Sequence, residues 1–389
     1  MALLRIHAAT GLHSMMALVH LLRNQPQDDC HDILFWRSRS TVADDDWMFA
    51  EVRASYPFYR LVDAKELQYG LPRQAGAWRW PFQLARRLRN DRAKIMAHLR
   101  PLNTKNLQVE LWTMEPHDVP VTLLHAMFSG AKRVKVPELI GAEYPSCAHV
   151  CLSFCRAAIK RDTNARRLFN AMVGIFSGVW MSPYNGLVYD KAYTFNRQST
   201  WAANCVDLSS TIAPAPLKAT YDSLPNALRE RIAQAINEAS GGNNSPWILM
   251  PLFGIVDERS FNMWRLCLLR VHNENPDVFN GARVVLKPHP QSPNDAPERL
   301  AAALASAIGQ PVGLFNVTFP LDFLWHVLPV KAVLAGPTGG IPVLQRLGNP
   351  PVYILREVFE DLCDSKPWSE DMTWAVEGLQ MLTRDCKFI

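Results

Sequence analysis

Short apolar runs alternate with longer amphipathic stretches along most of this chain. In the first half LLRIHA reads as a strand, SMMALVHLLRN as a helix, DILFWRS as a second strand and LQVELWTM as a later one. AKRVKVPE, residues 131–138, adds a short valine-rich strand. The second half repeats the grammar. WILMPLF is a strand, RSFNMWRLCLLRVHNEN a helix, ARVVLKPHP a strand and PERLAAALASAIG an Ala-rich helix suited to packing on a sheet. VKAVLAG at 330–336 is another strand, followed by the turn PTGG and the helix IPVLQRLG. Strands separated by helices predict an α/β architecture with largely parallel sheets.

Residues 206–246 interrupt this rhythm. DLSSTIAPAPLKATYDSLP is rich in Pro and Ser, LPNALRERIAQAINEAS reads as a helix, and GGNNSP is a break. At 389 residues the chain exceeds one ordinary core. The expected division is an N-terminal domain over 1–205, a linker region over 206–245 and a C-terminal domain over 246–389, with the last helix packing back on the first domain. Two Rossmann-like domains facing a central cleft are the expected fold. In open parallel sheets ligands sit beyond the carboxyl ends of the strands, so the loops after strands come first in a search for chemistry.

Composition narrows the class. With 48% apolar and 20% charged residues the chain reads as globular rather than disordered. No run approaches the roughly 18 apolar residues of a membrane span. Arg5, His7 and His13 break the opening MALLRIHAATGLH, which reads as the first strand and not as a signal peptide. Eight cysteines without a CxxC pair fit reduced thiols in a cytoplasm. In CAHVCLSFC, Cys147, Cys151 and Cys155 fall at i, i+4 and i+8; their stagger along a helix assembles no tetrahedral site, so they read as small core residues.

The net charge of +5 is concentrated. Residues 73–100 hold eight Arg or Lys against the single Asp91, interleaved with Trp78, Trp80 and Phe82. A basic helix with aromatics suits an anionic membrane surface or an acidic polymer. A solvated face with its aromatics buried in the domain is the alternative. No recognition motif accompanies the charge, so nucleic acid is not expected as a partner.

Four stretches carry candidate chemistry. In VVLKPHPQSP, residues 284–293, both Lys287 and His289 precede prolines, which drives them into extended conformations. The imidazole is thereby fixed at a strand's carboxyl end, as a positioned general acid requires. A proline-flanked turn whose histidine satisfies a backbone group would read the same way. In AVLAGPTGGIPVLQRLG a strand, a small-residue turn and a helix make the geometry for holding phosphate, with Thr338 at the expected cap and Gly336, Gly339 and Gly340 allowing close approach. An ordinary tight connection has the same pattern. Asp322 in FPLDFLWHVLP is placed to accept hydrogen bonds from a ribose diol, or to start a helix. Glu138 in KVPELIGAEYPS ends the valine-rich strand, where a carboxylate could act as general base or simply lie on the surface.

Taken in order, these pieces resemble the bacterial sialyltransferases and polysialyltransferases of the inverting GT-B fold. The resemblance rests on His289-Pro290 within LKPHP, the turn GPTGG about fifty residues later, Asp322 between them, and ELIGAEY in the first domain. It implies a metal-independent glycosyltransferase that moves a sialic acid, or a related nonulosonic acid, from a CMP-sugar to a hydroxyl of a capsule, a lipooligosaccharide or a similar surface glycan. Glu138 would deprotonate the acceptor and His289 would assist the departing CMP. Lys287, Pro290, Asp322, Thr338, Gly339 and Gly340 would surround the donor, with Gly11, His13, Glu143 and Tyr144 on the acceptor side. The CMP-activated sugar is a co-substrate; neither cofactor nor metal is implied.

The chain departs from the family pattern in two places. Leu139 replaces the second acid and glycine is delayed to Gly141, which makes Glu143 the alternative base; Pro337-Thr338 leaves one hydroxyl where a serine pair is usual. CMP-Kdo or CDP-glycerol transfer, and a non-catalytic glycan- or membrane-binding relative, are the other readings. The expected location is the cytoplasm, including the inner face of its membrane.

Overall fold

A computed structural model describes residues 3–25, 29–37, 45–64, 67, 80–102, 107–114, 119–137, 163–180, 189–195, 204–242, 245–252, 258–289, 295–336, 343–344, 347, 351–358, 360 and 387–389. The chain divides into two compact units. The first contains β1 (Leu3–Thr10), α1 (Gly11–Asn24), β2 (Cys30–Arg37), and then, after α2 (Asp45–Ala54), β3 (Arg60–Asp63) and α3 (Trp80–Leu99). It continues through β4 (Gln108–Thr113), α4 (Val119–Met127), β5 (Lys132–Lys135), α5 (Asn164–Ser177), β6 (Lys191–Thr194) and β7 (Cys205–Asp207). Its seven strands lie in the order β3-β2-β1-β4-β5-β6-β7, every pairing parallel. That is the Rossmann order extended by one strand, reversing direction between β1 and β4.

The second unit contains α6 (Pro214–Asp222), α7 (Asn226–Ser240), β8 (Trp247–Pro251), α8 (Glu258–Glu274), α9 (Pro276–Phe279) and β9 (Arg283–Lys287). After these come α10 (Ala296–Ile308), β10 (Gly313–Leu314), α11 (Leu321–Leu324), β11 (Val330–Ala335), β12 (Val352–Ile354) and β13 (Lys387–Phe388). The strand order is β10-β9-β8-β11-β12-β13, again all parallel, with the reversal between β8 and β11. Two Rossmann-like parallel-sheet α/β domains are thus the fold, as the alternation of elements predicts.

The Pro- and Ser-rich stretch after β7 is itself partly helical. Pro214 and Pro216 stand in the first turn of α6, where a missing N–H costs nothing, and Leu217 and Tyr221 are buried beneath it. Helix α2 groups with the second unit. There Met48 accepts a hydrogen bond from Thr318 at 3.6 Å, and the Arg231 guanidinium lies 4.1 Å from the Trp47 ring.

Both faces of each sheet are buried, and one of them packs apolar side chains against helices. In the first, Leu4, Ile6, Ile33, Phe35 and Leu111 pack with Leu88 and Ile95 of α3, Leu123 and Leu124 of α4 and Val173 of α5. In the second, Ile248, Met250, Leu286 and Leu334 pack with Trp264, Leu268 and Val271 of α8 and Leu300 and Leu304 of α10. Cys30, Cys205 and Cys267 are in no disulfide, whereas Cys147, Cys151 and Cys155 lie outside the described residues. Among the described residues no helix is long and apolar enough to cross a membrane, and no group of three His, Cys, Asp or Glu side chains could hold a metal ion.

Candidate active site

The second unit brings three of the expected side chains together. Strand β9 is buried from Val284 to Lys287, as β-branched residues flanked by neighbours on both sides should be. Its carboxyl end is pinned twice: Leu252 N–H donates to the Lys287 carbonyl at 2.9 Å and Phe315 N–H to the Leu286 carbonyl at 2.8 Å. His289 comes two residues later, partly exposed. It lies past the strand adjacent to β8, one strand from the reversal of order.

Lys287 is buried, and its ammonium donates to the Val317 carbonyl at 2.6 Å. It thereby ties β9 to the segment that leads into α11. Asp322 stands in the single turn of α11, after Pro320. Burial pushes its carboxyl up to about 7, and the Lys287 charge only partly offsets this. Burial also lowers the His289 pKa, and here the Lys287 charge works in the same direction. One ammonium therefore acts on both groups. It favours the charged carboxylate and the neutral imidazole.

Of the remaining expected residues, Gly11 and His13 of the first unit and Gly336 of the second are described. Gly11 begins α1 immediately after β1, at φ +80°, and no heavy atom lies within 4 Å of where a Cβ would be. The backbone angle, not lack of room, is what demands glycine there. His13 is exposed in the first turn of the same helix. Gly336 follows β11 directly, but a Cβ on it would meet Val358 Cγ1 at 2.7 Å, so packing explains that glycine without a ligand. Glu138, Glu143, Tyr144, Pro290, Thr338, Gly339 and Gly340 lie outside the described residues.

A polar network in the first unit was not singled out from the sequence. Arg5 and Asp32 are partners in the β1–β2 register and form a two-pronged pair, Nε to Oδ1 at 2.7 Å and Nη2 to Oδ2 at 2.6 Å. His7 Nε2 lies 2.6 Å from Asp32 Oδ1 and Tyr56 donates to Oδ2 at 2.9 Å. These contacts hold the Asp32 carboxyl far below the usual range, against the opposing effect of burial. Burial lowers the His7 pKa and Asp32 opposes this, and among the described residues its Nδ1 has no hydrogen-bond partner. The available signal was the pair of polar residues at i and i+2 in an otherwise apolar strand. His125 on α4 is similarly buried and pushed down to about 4.

No known protein family matches the sequence, and no curated protein does either. Among solved structures the chain is similar to a UDP-GlcNAc 2-epimerase from Neisseria meningitidis bound to UDP-GlcNAc. The identity is 13%, covering 98% of this chain and 92% of that one, with a TM-score of 0.48. It is similar also to a sialyltransferase from Photobacterium damsela, at 10% identity over 100% of this chain and 81% of that one, TM-score 0.49. A third is MurG from Acinetobacter baumannii, at 11% identity over 100% and 86%, TM-score 0.43. Likeness at this level is a likeness of fold, and the chemistry has to be argued from the chain's own residues.

Proposed function

We propose that the chain is a metal-independent inverting glycosyltransferase of the GT-B type, moving a sialic or related nonulosonic acid from a CMP-sugar to a hydroxyl of a bacterial surface glycan. One observation carries the reading: His289 comes just beyond β9, with Lys287 bearing on both it and Asp322, one strand from the reversal of strand order where Rossmann-type sheets take nucleotides.

In this reading the acceptor oxygen attacks the anomeric carbon as the bond from that carbon to the phosphate oxygen breaks. Glu138, or Glu143 in its place, takes the acceptor proton. CMP departs with the bonding electrons. Without ligand, burial and Lys287 favour neutral His289. The singly charged phosphodiester of the donor beside the ring would raise its pKa, and the second charge that develops on CMP as the bond breaks would raise it further, so the imidazole would hold a proton and share it with the leaving oxygen. The Lys287 ammonium, already bonded to Val317, acts through its field and by fixing the segment before Asp322. Asp322 would take the ribose diol, and Thr338 with the Gly339 and Gly340 amides the phosphate.

The test is product analysis with CMP-sialic acid, CMP-Kdo and CDP-glycerol as donors over a small glycan panel. Transfer from CMP-sialic acid should fall by about 10²–10⁴ in His289→Ala with melting unchanged. Full activity in that variant would overturn the mechanism. Transfer from only one of the other donors would keep the chemistry and change the sugar. Attachment to an anionic membrane through 73–100 belongs to the same proposal.

A further inference from the structure

Helix α5 has two apolar faces where a surface helix needs one. Phe169 and Val173 turn inward to the core shared with α3 and α4. Leu168 and Ile175, seven residues apart and so nearly two turns along one stripe, stay 65% and 68% exposed. Phe176 beside Ile175 is 49% exposed.

Two contacts enlarge this stripe into a patch. Gly178, at φ +68°, closes the helix by donating its N–H to the Gly174 carbonyl at 2.9 Å, and the chain doubles back. Trp180 then lies against Gly174, where a Cβ would meet its ring at 2.8 Å, so any larger residue at 174 would displace the indole. Buried Val179, whose N–H donates to Ser177 Oγ at 3.0 Å, anchors the chain immediately before Trp180. Trp180 is thus held in place and yet 63% exposed. From the other side Phe82 of α3, half exposed, stands with its ring centroid 4.9 Å from that of Phe176. Scattered exposed apolar residues need no explanation, but five large ones on two packed helices and the turn that follows do.

The surroundings are cationic. Arg86, Arg89, Arg92 and Lys94 of α3 and Arg167 of α5 are exposed. The one acid in α3, Asp91, is buried, and α5 contains none. These charges bear on the occupant. A second copy of the chain meeting this face about a two-fold axis would set arginines against arginines. An acidic polymer would satisfy the cations and leave the tryptophan, isoleucine and leucine in water. A bilayer rich in anionic headgroups satisfies both, with aromatics seated at the headgroup boundary and arginines on the phosphates.

We propose that the face formed by α3, α5 and Trp180 docks the protein on an anionic membrane surface. This deepens the partner part of the functional reading: the basic helix supplies the charge, and α5 with Trp180 supplies most of the apolar anchor. It does not depend on which sugar is transferred.

The experiment is flotation of the full chain with vesicles of equal parts phosphatidylglycerol and phosphatidylcholine, and with pure phosphatidylcholine. The wild-type chain should float with the mixed vesicles, weaken as salt rises, and stay behind with the neutral ones. Ile175→Glu with Trp180→Glu should reduce partitioning at least about tenfold, and Arg86→Glu with Arg89→Glu should remove the salt dependence. Melting curves establish that each variant is folded; these side chains are exposed. No flotation of the wild type, or flotation unchanged in Ile175→Glu with Trp180→Glu, overturns the proposal. So does a lipid-free dimer that the same pair of substitutions dissolves, since a second copy would then be the occupant. Transfer to a soluble glycan should survive in both variant pairs, so loss of docking and failure of the transferase reading are separately visible.

Discussion

Two carboxyl groups illustrate how position sets a residue's chemistry. Asp32 accepts from Arg5, His7 and Tyr56 and is held ionised well below the usual carboxylate range. Its folded pKa is depressed, so the stability it contributes is present above the ordinary carboxylate pKa of roughly 3.9 and is lost as pH falls below it. Asp32→Ala should therefore destabilise the first unit by about 3–5 kcal/mol at neutral pH, because Arg5 would stay buried without its partner. Denaturant titrations at pH 7 and at pH 3 would check this, with the difference between variant and wild type shrinking in acid. Asp322 is the mirror case. Its pKa is raised to about 7, so its stabilising effect is present at low pH and is lost as pH rises from the ordinary carboxylate range through 7. Asp322→Asn should melt higher than the wild type at pH 8, and the gap should close toward pH 4. If Asp322 also binds the ribose, the same variant should lose donor affinity: a more stable protein that binds less well.

Among the elements, two glycines show different constraints. Gly11 turns the chain from β1 into α1 at φ +80° with open space around it, so Gly11→Ala should cost about 1–2 kcal/mol of backbone strain and little packing. Gly313 in β10 has no such angle, but a Cβ there would collide with the Ala239 carbonyl oxygen near the end of α7. Gly313→Ala should cost about 1–3 kcal/mol by prising that helix from the sheet, read as a lower denaturation midpoint. Long elements with a clear period were legible in the sequence: β1, β2, β8 and β9 as apolar runs, α7, α8 and α10 as amphipathic helices. Short β3, β6 and β7 and helix α6 were not singled out. Three or four residues contain too little periodicity to separate a strand from a loop, and two early prolines in α6 imitate a linker.

For the whole molecule, the two sheets with their reversals of strand order set the expectation for ligand binding. CMP should raise the melting temperature, and a concentration a hundredfold above its Kd should add about 2.7 kcal/mol to the unit that binds it. CDP, UMP and UDP should have smaller effects in the same scan, and equal shifts by all four would remove the CMP preference. The grouping of α2 with the second unit has its own consequence. A fragment spanning 210–389 lacks Trp47 and Met48 and should be less stable than the same fragment supplied with a peptide covering 42–55, as measured by chemical denaturation.

What the sequence determined by itself was the local and periodic part. Alternation of apolar runs and amphipathic helices dictates parallel sheets, and prolines on both sides of His289 restrict that segment whatever surrounds it. Tertiary structure decided whatever depends on residues distant in the chain. It set Asp32 against Arg5 across 27 positions and carried the Lys287 charge to a carbonyl 30 residues away. It also left Ile175 and Trp180 in the open while burying their neighbours Val173 and Val179. Burial and electrostatic environment are properties of neighbours in space, and a linear pattern records only neighbours along the chain.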